Sequence, residues 1–200
     1  IAKFRRDNGL DYAPKQILVS CGGKHTSFNL CLALLNPGDE VIIPAPYWVS
    51  YPDMAVVAEA KPVFITAGIE QGFKITPAQL EAAITPKSRL IFINSPSNPT
   101  GGVYTEAELA ALGEVALAAG LYIISDDIYD KIMFDGAKFV NMAMLSPELK
   151  ARTFVFNGFS KAYAMTGWRI GYLAGPEAGI KAADTLQSQS TSNPTSISQK

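Results

Sequence analysis

The sequence has little of the chemistry that metal sites and histidine-assisted nucleophiles require. It holds one histidine, His25, and two cysteines, Cys21 and Cys31, among 200 residues. These residues cannot supply a Ser/His/Asp constellation, a zinc site or a disulfide scaffold, so we expect no metal. We expect Cys31 to pack on a helix, and His25 to face a helix surface rather than approach a ligand. The small number of cysteines also favours a reducing, cytoplasmic setting.

Long apolar runs and one-sided charge are missing as well. No run approaches the roughly 18 residues that span a bilayer, and Ile1–Arg6 has no apolar signal-peptide core. The formal net charge of −1 comes without a basic stripe, which argues against a nucleic-acid partner. The chain is 48% hydrophobic, enough for a large buried core. It begins without methionine inside a helical pattern and ends without a stop signal, so we expect part of a longer protein.

Short apolar, β-rich runs alternate with helical patterns along the chain. Several of these runs are continuously apolar, as strands covered on both faces are. This pattern predicts an α/β fold with three α/β/α layers and a mostly parallel seven-stranded sheet. The last two runs lack a full crossover helix between them, which leaves room for one antiparallel strand. The predicted strands are Ile17–Ser20, Glu40–Ile43, Pro62–Thr66, Arg89–Asn94, Leu121–Ser125, Thr153–Asn157 and Arg169–Ala174.

A lysine stands among small residues directly after the sixth predicted strand. Lys161 follows Gly158, Phe159 and Ser160, and Arg169 comes eight residues later. Lysine forms Schiff bases with aldehydes, and arginine presents a rigid fork that suits a phosphate. Together they suggest pyridoxal 5'-phosphate (PLP) as a cofactor. The alternative is a surface lysine and arginine that simply follow a strand.

Two loops at predicted strand ends could bind parts of such a cofactor, because ligands of open α/β sheets collect at the carboxyl ends of strands. Gly22, Gly23 and Lys24 precede a helix, where glycine backbone and free N–H groups can cradle a phosphate. The alternative there is an ordinary turn. The loop Ser95–Gly102 is stiffened by two prolines and two glycines. It would hold Asn98 ready to donate to a ligand oxygen, unless Asn98 only caps the turn.

Three further side chains fit a planar pyridine ring. Asp126 follows the fifth predicted strand, where a carboxylate can pair with a protonated pyridine nitrogen and support electron-sink chemistry. Tyr129 lies on the same side if the segment turns helically, and its hydroxyl could reach the phenolic oxygen. Trp48 follows a proline-rich turn and could stack on the ring. The alternatives are a helix cap at Asp126 and an ordinary core tryptophan.

Taken together, these segments resemble the class I/II aminotransferases of PLP fold type I. The stretch Gly158–Gly171 fits the lysine-attachment signature of that family at every constrained position. Asn94–Gly101 and Ser125–Tyr129 are the other strong matches, and Pro46–Pro52 resembles the bacterial aspartate aminotransferase subgroup. The resemblance covers nearly the whole chain.

The resemblance implies a role for each residue around the cofactor ring. Lys161 would carry the Schiff base and later move a proton between the substrate and the cofactor. Asp126 would bind the pyridine nitrogen, and Trp48 would stack on the ring. Tyr129 and Asn98 would contact the phenolic oxygen. The overall reaction would be a ping-pong transfer of an amino group from an amino acid to a 2-oxo acid.

The resemblance also implies a phosphate site. Gly22, Gly23, Lys24 and Arg169 would hold the phosphate, with Ser160 nearby. One position departs from many relatives, because Gly158 stands where they often carry a phosphate-binding serine.

The resemblance further implies that residues 1–200 form the large PLP-binding domain of a longer, cytoplasmic, homodimeric enzyme. An N-terminal segment and a C-terminal small domain, which carries the arginine for the substrate α-carboxylate, would lie outside this chain. We therefore expect the isolated chain to be inactive. Aspartate is the expected donor, with aromatic amino acids or prephenate next.

Two other classes of protein share these cofactor groups. One is another enzyme on the same scaffold, a β-lyase or an aminocyclopropane-carboxylate synthase. The other is a PLP-binding effector domain of a transcription regulator, which would carry a DNA-binding region elsewhere. The segment around Trp48 favours transamination over the first class. Ile1–Asn8 and the motif after it resemble ordinary aminotransferases, which argues against the second class.

Overall fold

The predicted strands form one sheet in the computed structural model, which describes residues 1–200. The strand order is β1-β7-β6-β5-β4-β2-β3. Only β7 runs antiparallel to its neighbours, and all other pairs are parallel. The expected mostly parallel seven-stranded sheet is therefore confirmed. The strands are β1 (Ile17–Ser20), β2 (Glu40–Ala45), β3 (Lys61–Thr66), β4 (Ser88–Asn94), β5 (Tyr122–Asp126), β6 (Thr153–Gly158) and β7 (Gly171–Ala174).

Two strand boundaries differ from the sequence prediction in ways that matter for the site. β7 begins at Gly171 and not at Arg169, because Arg169 has a left-handed backbone with φ of 53° that cannot continue a strand. β5 is shifted by one residue, so Asp126 is its last residue and pairs in register with Asn94 and Phe156. The carboxylate of Asp126 is thus held by the sheet rather than by a loop.

Six α-helices cover the sheet. They are α1 (Gly23–Leu34), α2 (Ser50–Val57), α3 (Pro77–Ala83), α4 (Glu106–Ala118), α5 (Pro147–Lys150) and α6 (Glu177–Ser188). Short helical turns lie at Phe4–Asn8, Pro14–Gln16, Ile69–Gln71, Met142–Met144, Thr166–Trp168 and Ser196–Gln199. Thr76 and Thr105 cap α3 and α4, where each accepts a hydrogen bond from the third residue of its helix. α1 begins at Gly23, which makes Gly22 its N-cap.

Alternating side chains of the central strands bury separate cores on the two faces of the sheet. Helices α1, α2 and α6 pack on one face, where Phe92 of β4 lies in the core. Helices α3, α4 and α5 pack on the other face, with Ile91 and Ile123. A smaller cluster on that second face includes Phe4 and Tyr12. These layers confirm the expected α/β/α arrangement.

The parallel strands bring the chemistry-bearing loops to one edge of the sheet. β1, β4, β5 and β6 all end there, and the segment before β7 lies at the same edge. None of the helices combines the length and the apolar character that crossing a membrane demands.

Candidate active site

A cavity of about 280 Å³ opens at the carboxyl edge of the sheet. Every residue predicted for the site except Gly22 lines it, and three residues that were not predicted join them: Ile128, Phe156 and Thr166. The predicted residues on its wall are Gly23, Lys24, Trp48, Asn98, Asp126, Tyr129, Ser160, Lys161 and Arg169. The sheet thus brings together side chains that are spread over about three quarters of the sequence.

Asp126 is the most buried ionisable side chain that lines the cavity. It is only 3% exposed, and both carboxylate oxygens have donors within the protein. The Tyr51 hydroxyl donates to Oδ2 at 2.5 Å, and the Ile128 backbone N–H donates to Oδ1 at 3.1 Å. Burial raises the pKa of Asp126 to about 7, while the two hydrogen bonds act in the opposite direction. A cationic partner in the cavity, such as a protonated pyridine nitrogen, would stabilise the charged carboxylate.

Asn98 and Tyr129 place two hydrogen-bond donors on the same wall. The Asn98 side-chain amide lies 3.5 Å from the Tyr129 hydroxyl. The Asn98 backbone N–H donates to the side chain of Asn94 at 2.7 Å, and Asn94 in turn donates to the Asp126 carbonyl at 3.0 Å. Burial and the charge of Asp126 raise the pKa of Tyr129, so its hydroxyl stays protonated at neutral pH. Both groups can therefore donate to an anionic phenolic oxygen.

Trp48 presents an aromatic face near Asp126. Its ring meets Tyr51 edge to face, with centroids 5.4 Å apart and planes at 88°. The Lys24 ammonium lies 4.9 Å from the Trp48 ring centroid, a cation–π contact. A flat ring in the cavity would find an aromatic surface on this side.

The start of α1 and the residues before β7 form a positively charged corner. Gly22 has φ of 90°, and the first N–H groups of α1 lack partners inside the helix. The Arg169 guanidinium donates to the backbone carbonyls of Thr166 at 2.8 Å and Cys21 at 3.2 Å. Neither partner is charged, so the positive charge of Arg169 remains available to a phosphate.

Glycines allow Arg169 and the start of β7 to approach the start of α1 closely. A Cβ on Gly22 would collide with the Arg169 guanidinium, and a Cβ on Gly171 would collide with the backbone of Gly22 and Gly23. Gly22 does not line the cavity itself, yet its lack of a side chain lets Arg169 reach it. A glycine cradle, a helix start and two cations fit a phosphate group.

Lys161 and Ser160 lie in the turn after β6. Lys161 is exposed and forms no ion pair in the structure, so its amine is free toward the cavity. Gly158 is buried inside β6, where a Cβ would come within 2.9 Å of the Ile170 carbonyl oxygen. The glycine at this position is therefore matched to the close packing of β6 against the residues before β7.

The sequence prediction assigned no role to Tyr51. It lies three residues after Trp48, a spacing that places both side chains on one side of a helical turn and could have indicated their contact. Its hydrogen bond to Asp126 links positions 75 residues apart, and only the fold reveals it. Phe156 belonged to a predicted apolar strand, which gave no sign that its ring would border the cavity.

The comparison with protein families gives one match over the full chain. The sequence model described as aminotransferase class I and II matches residues 1–200. Among curated proteins, an aspartate/prephenate aminotransferase from Nitrosomonas europaea is 60% identical over 200 residues, and an aspartate aminotransferase from Geobacillus stearothermophilus is 58% identical. Both alignments cover 100% of this chain and 50% or 51% of the relative, so the chain spans about half their length.

Solved structures give the same result. A crystal structure of the aspartate aminotransferase from Rhizobium meliloti superposes with a TM-score of 0.96 at 52% identity, covering 98% of this chain and 50% of that one. The aspartate aminotransferase from Thermus thermophilus with maleate superposes with a TM-score of 0.94 at 44% identity, covering 99% and 51%. The fold is therefore that of known proteins.

Proposed function

The chain belongs to the aminotransferase class I and II family, and from this membership we propose that the full-length protein is a PLP-dependent transaminase. It would move an amino group between an L-amino acid and a 2-oxo acid. The observation that carries the proposal is the cavity in which one free lysine, one buried carboxylate and a glycine-and-arginine corner converge.

The residues present fit PLP at both ends of the molecule. Gly23, Lys24 and Arg169 would hold the phosphate, with Ser160 nearby and Gly22 keeping the corner open. At the other end, Asp126 would face the pyridine nitrogen. Two hydrogen-bonded oxygens fix its carboxylate in one orientation, so no reorganisation is needed when a cationic nitrogen arrives.

The remaining wall residues would orient the ring. Asn98 and Tyr129 would donate to its phenolic oxygen, and Trp48 would cover one face. When bound, PLP supplies an aldehyde and an electron-withdrawing ring. The chain itself contributes the orientation, the counter-charge and the base.

Lys161 is the residue proposed to attach the cofactor and to transfer the proton. Two lysines line the cavity and neither forms an ion pair, but the Lys24 ammonium lies over the Trp48 ring, whereas Lys161 makes no cation–π contact. With its amine in the neutral form, Lys161 would accept a proton from the α-carbon of the amino acid and later deliver it.

Aspartate is the proposed donor, and prephenate is a further candidate acceptor. The support comes from the curated relatives, which are named aspartate or aspartate/prephenate aminotransferases. These names also favour transamination over a β-lyase, an aminocyclopropane-carboxylate synthase or a regulator's effector domain.

The domain organisation, assembly and location are proposals as well. We propose that residues 1–200 are the PLP-binding domain, since they form one sheet with the cavity at its edge while spanning about half of each relative. Homodimer formation is supported by apolar side chains left exposed on and beside α2 and on β3: Val49, Val56, Val57 and Phe64. A cytoplasmic location is supported by the two free cysteines.

The proposed function is tested by an amino-transfer assay on the full-length protein with L-aspartate and a 2-oxo acid. Replacing Lys161 by Ala should reduce the rate by at least about 10³-fold, since base and attachment point are lost together. Lys138→Ala, at an exposed lysine outside the cavity, should keep the parent rate. A folded, PLP-loaded parent that transfers no amino group, or a Lys161→Ala variant at the parent rate, would contradict the proposal.

A further inference from the structure

Tyr51 connects two sides of the cavity although it is not among the cavity's lining residues. It is buried, with 2% of its surface exposed, in the first turn of α2. Its hydroxyl donates to Asp126 Oδ2 at 2.5 Å. No other side chain hydrogen bonds to the Asp126 carboxylate, because the second donor is the Ile128 backbone N–H.

Aromatic neighbours hold the Tyr51 ring on two sides. Phe92 of β4 stacks on it, with centroids 4.3 Å apart and planes at 22°. Trp48 meets it at 88° with centroids 5.4 Å apart. A tyrosine ring has few rotamers, so this packing leaves the hydroxyl one direction in which to donate.

We propose that Tyr51 is a positioning residue of the transaminase site, fixing the Asp126 carboxylate through its hydroxyl and the Trp48 ring through its own ring. This inference rests on the proposed function, because it assigns Tyr51 to the two groups that would contact the cofactor ring.

Asp126 is buried, so the charged form of its carboxylate needs compensation from neighbouring groups. A buried carboxylate is unfavourable unless donors compensate it, and a donor to the charged form favours ionisation. Tyr51 supplies the only side-chain donor to this carboxylate. Burial and the charge of Asp126 raise the pKa of the Tyr51 hydroxyl, so the hydroxyl stays protonated and can donate.

Other titratable groups also face this part of the cavity. Lys24 comes from α1, Tyr129 from the turn after β5, and Lys161 and Arg169 from the segment between β6 and β7. None of these groups hydrogen bonds to the Asp126 carboxylate. Tyr51 therefore has an effect on Asp126 that no neighbouring group duplicates.

A purely structural role predicts something different. If Tyr51 served only the core, phenylalanine would retain the contacts with Phe92 and Trp48, and only stability would change. A positioning role predicts that the lost hydroxyl changes the titration of Asp126 and the affinity for PLP.

The test compares Tyr51→Phe with Tyr104→Phe in the full-length protein. Tyr104 is a matched control, since its hydroxyl is also buried but accepts from the Ile75 backbone N–H at 2.9 Å and has no contact with Asp126. The dissociation constant of PLP is measured by equilibrium dialysis at pH 7.5, and melting temperatures are recorded for both variants. The carboxyl titration of Asp126 is followed by ¹³C NMR in unliganded, aspartate-labelled protein, with the signal assigned by Asp126→Asn.

The inference predicts that Tyr51→Phe weakens PLP binding about tenfold, as expected when a hydrogen bond to a charged group is lost. The Asp126 titration midpoint should rise, and Tyr104→Phe should change neither quantity more than about twofold. In an Asp126→Asn background, Tyr51→Phe should have a clearly smaller effect on PLP affinity, since asparagine can still hydrogen bond but lacks the charge that the Tyr51 hydroxyl stabilises.

Three results would overturn the inference: an unchanged Asp126 midpoint, PLP affinity within twofold of the parent, or an equal loss in the Asp126→Asn background. If Tyr51→Phe does not fold, 3,5-difluorotyrosine at position 51 keeps the ring and strengthens the donor. It should lower the Asp126 midpoint, and an unchanged midpoint would again overturn the inference. A parent that binds no PLP would instead overturn the proposed function, a result that the dialysis of the parent reports separately.

Discussion

Asp126 and Asp127 are neighbours in the sequence and are both buried, yet they lie on opposite faces of the sheet. Asp126 faces α2 and the cavity, where it accepts one hydrogen bond from a side chain, that of Tyr51. Asp127 faces the other layer, where it accepts from the Ser125 hydroxyl at 2.7 Å and the Asn141 amide at 2.5 Å. Lys3 lies close enough to lower the pKa of Asp127 and is itself paired with Asp130 at 2.6 Å.

The two carboxylates differ in their surroundings, although burial affects both in the same direction. Burial raises the pKa of both carboxylates, to about 7 for Asp126 and about 8 for Asp127. On the Asp127 side, two side chains of the folded chain itself donate to the two carboxylate oxygens, and Lys3 lies nearby. On the Asp126 side, the carboxylate borders an open cavity and forms no ion pair with another side chain. The open cavity beside Asp126 leaves room for a cationic ligand, whereas Asp127 is surrounded by donors of the chain itself.

Asp126→Asn is expected to reduce PLP binding more than any other change on either side. The amide cannot balance a cationic pyridine nitrogen, and loss of one partner of a buried pair costs about 3–5 kcal/mol. PLP affinity should therefore fall by at least about 100-fold in equilibrium dialysis. Asp53→Asn, at an exposed position on α2, is the control and should bind like the parent. Unchanged affinity in Asp126→Asn would remove Asp126 from the site.

Asn141→Ala should show the opposite behaviour on the Asp127 side. It removes a buried donor to a carboxylate and the side-chain cap of the turn at Met142–Met144. We expect the free energy of unfolding to fall by about 2–3 kcal/mol in urea denaturation. PLP affinity, measured without urea under conditions in which the variant is folded, should stay within about twofold of that of the parent. A selective loss of PLP affinity without loss of stability would show that the two sides are not separate.

A comparison of two glycine variants separates the stability cost of backbone strain from the loss of phosphate binding. Gly22 and Gly38 both have left-handed backbones, with φ of 90° and 85°, but only a Cβ on Gly22 would meet Arg169. Each Ala variant should lose about 1–2 kcal/mol of stability from φ strain. Only Gly22→Ala should also weaken PLP binding, by about tenfold, because the guanidinium loses a charge-assisted contact. Equal PLP affinities in the two variants would contradict the proposed phosphate site.

The smallest effect concerns pH and the unliganded protein. The folded-state pKa of Asp126 is raised to about 7, so between about pH 4 and 7 the folded state binds a proton that the unfolded state has released. This group's contribution to stability is therefore present below pH 4 and is lost as the pH rises through 7. Relative to Asp126→Asn, the parent should become progressively less stable over that range. Urea titrations at several pH values measure the difference in free energy of unfolding between the parent and Asp126→Asn. Because both proteins contain His25, its titration cancels in this difference. A constant difference would show that Asp126 is not buried as described.

The sheet could be predicted because its signals are local. Continuously apolar runs such as the one in β4 mark strands covered on both faces, and the breaks between them leave room for helices. The site was predictable for a related reason, since residues after parallel strands meet at one edge. Lys161 and Asp126 were named from their positions at strand ends, and the structure places both on one cavity.

What the sequence did not reveal depends on long-range packing. Tyr51 reaches Asp126 only because α2 packs against β4, and no local pattern records that contact. The left-handed backbone of Arg169 was also missed, because arginine has no preference for it. In the structure it occurs together with the hydrogen bonds of the guanidinium to Thr166 and Cys21 and with the close approach of Gly171 to Gly22.

We propose that the cavity at the carboxyl edge of the sheet binds PLP through Lys161. This proposal is tested most directly by incubating the full-length protein with PLP, reducing with borohydride and locating the adduct by peptide mass spectrometry. The account predicts one stoichiometric adduct, on Lys161. An adduct on Lys24, or labelling scattered over exposed lysines with Lys161 unmodified, would contradict it.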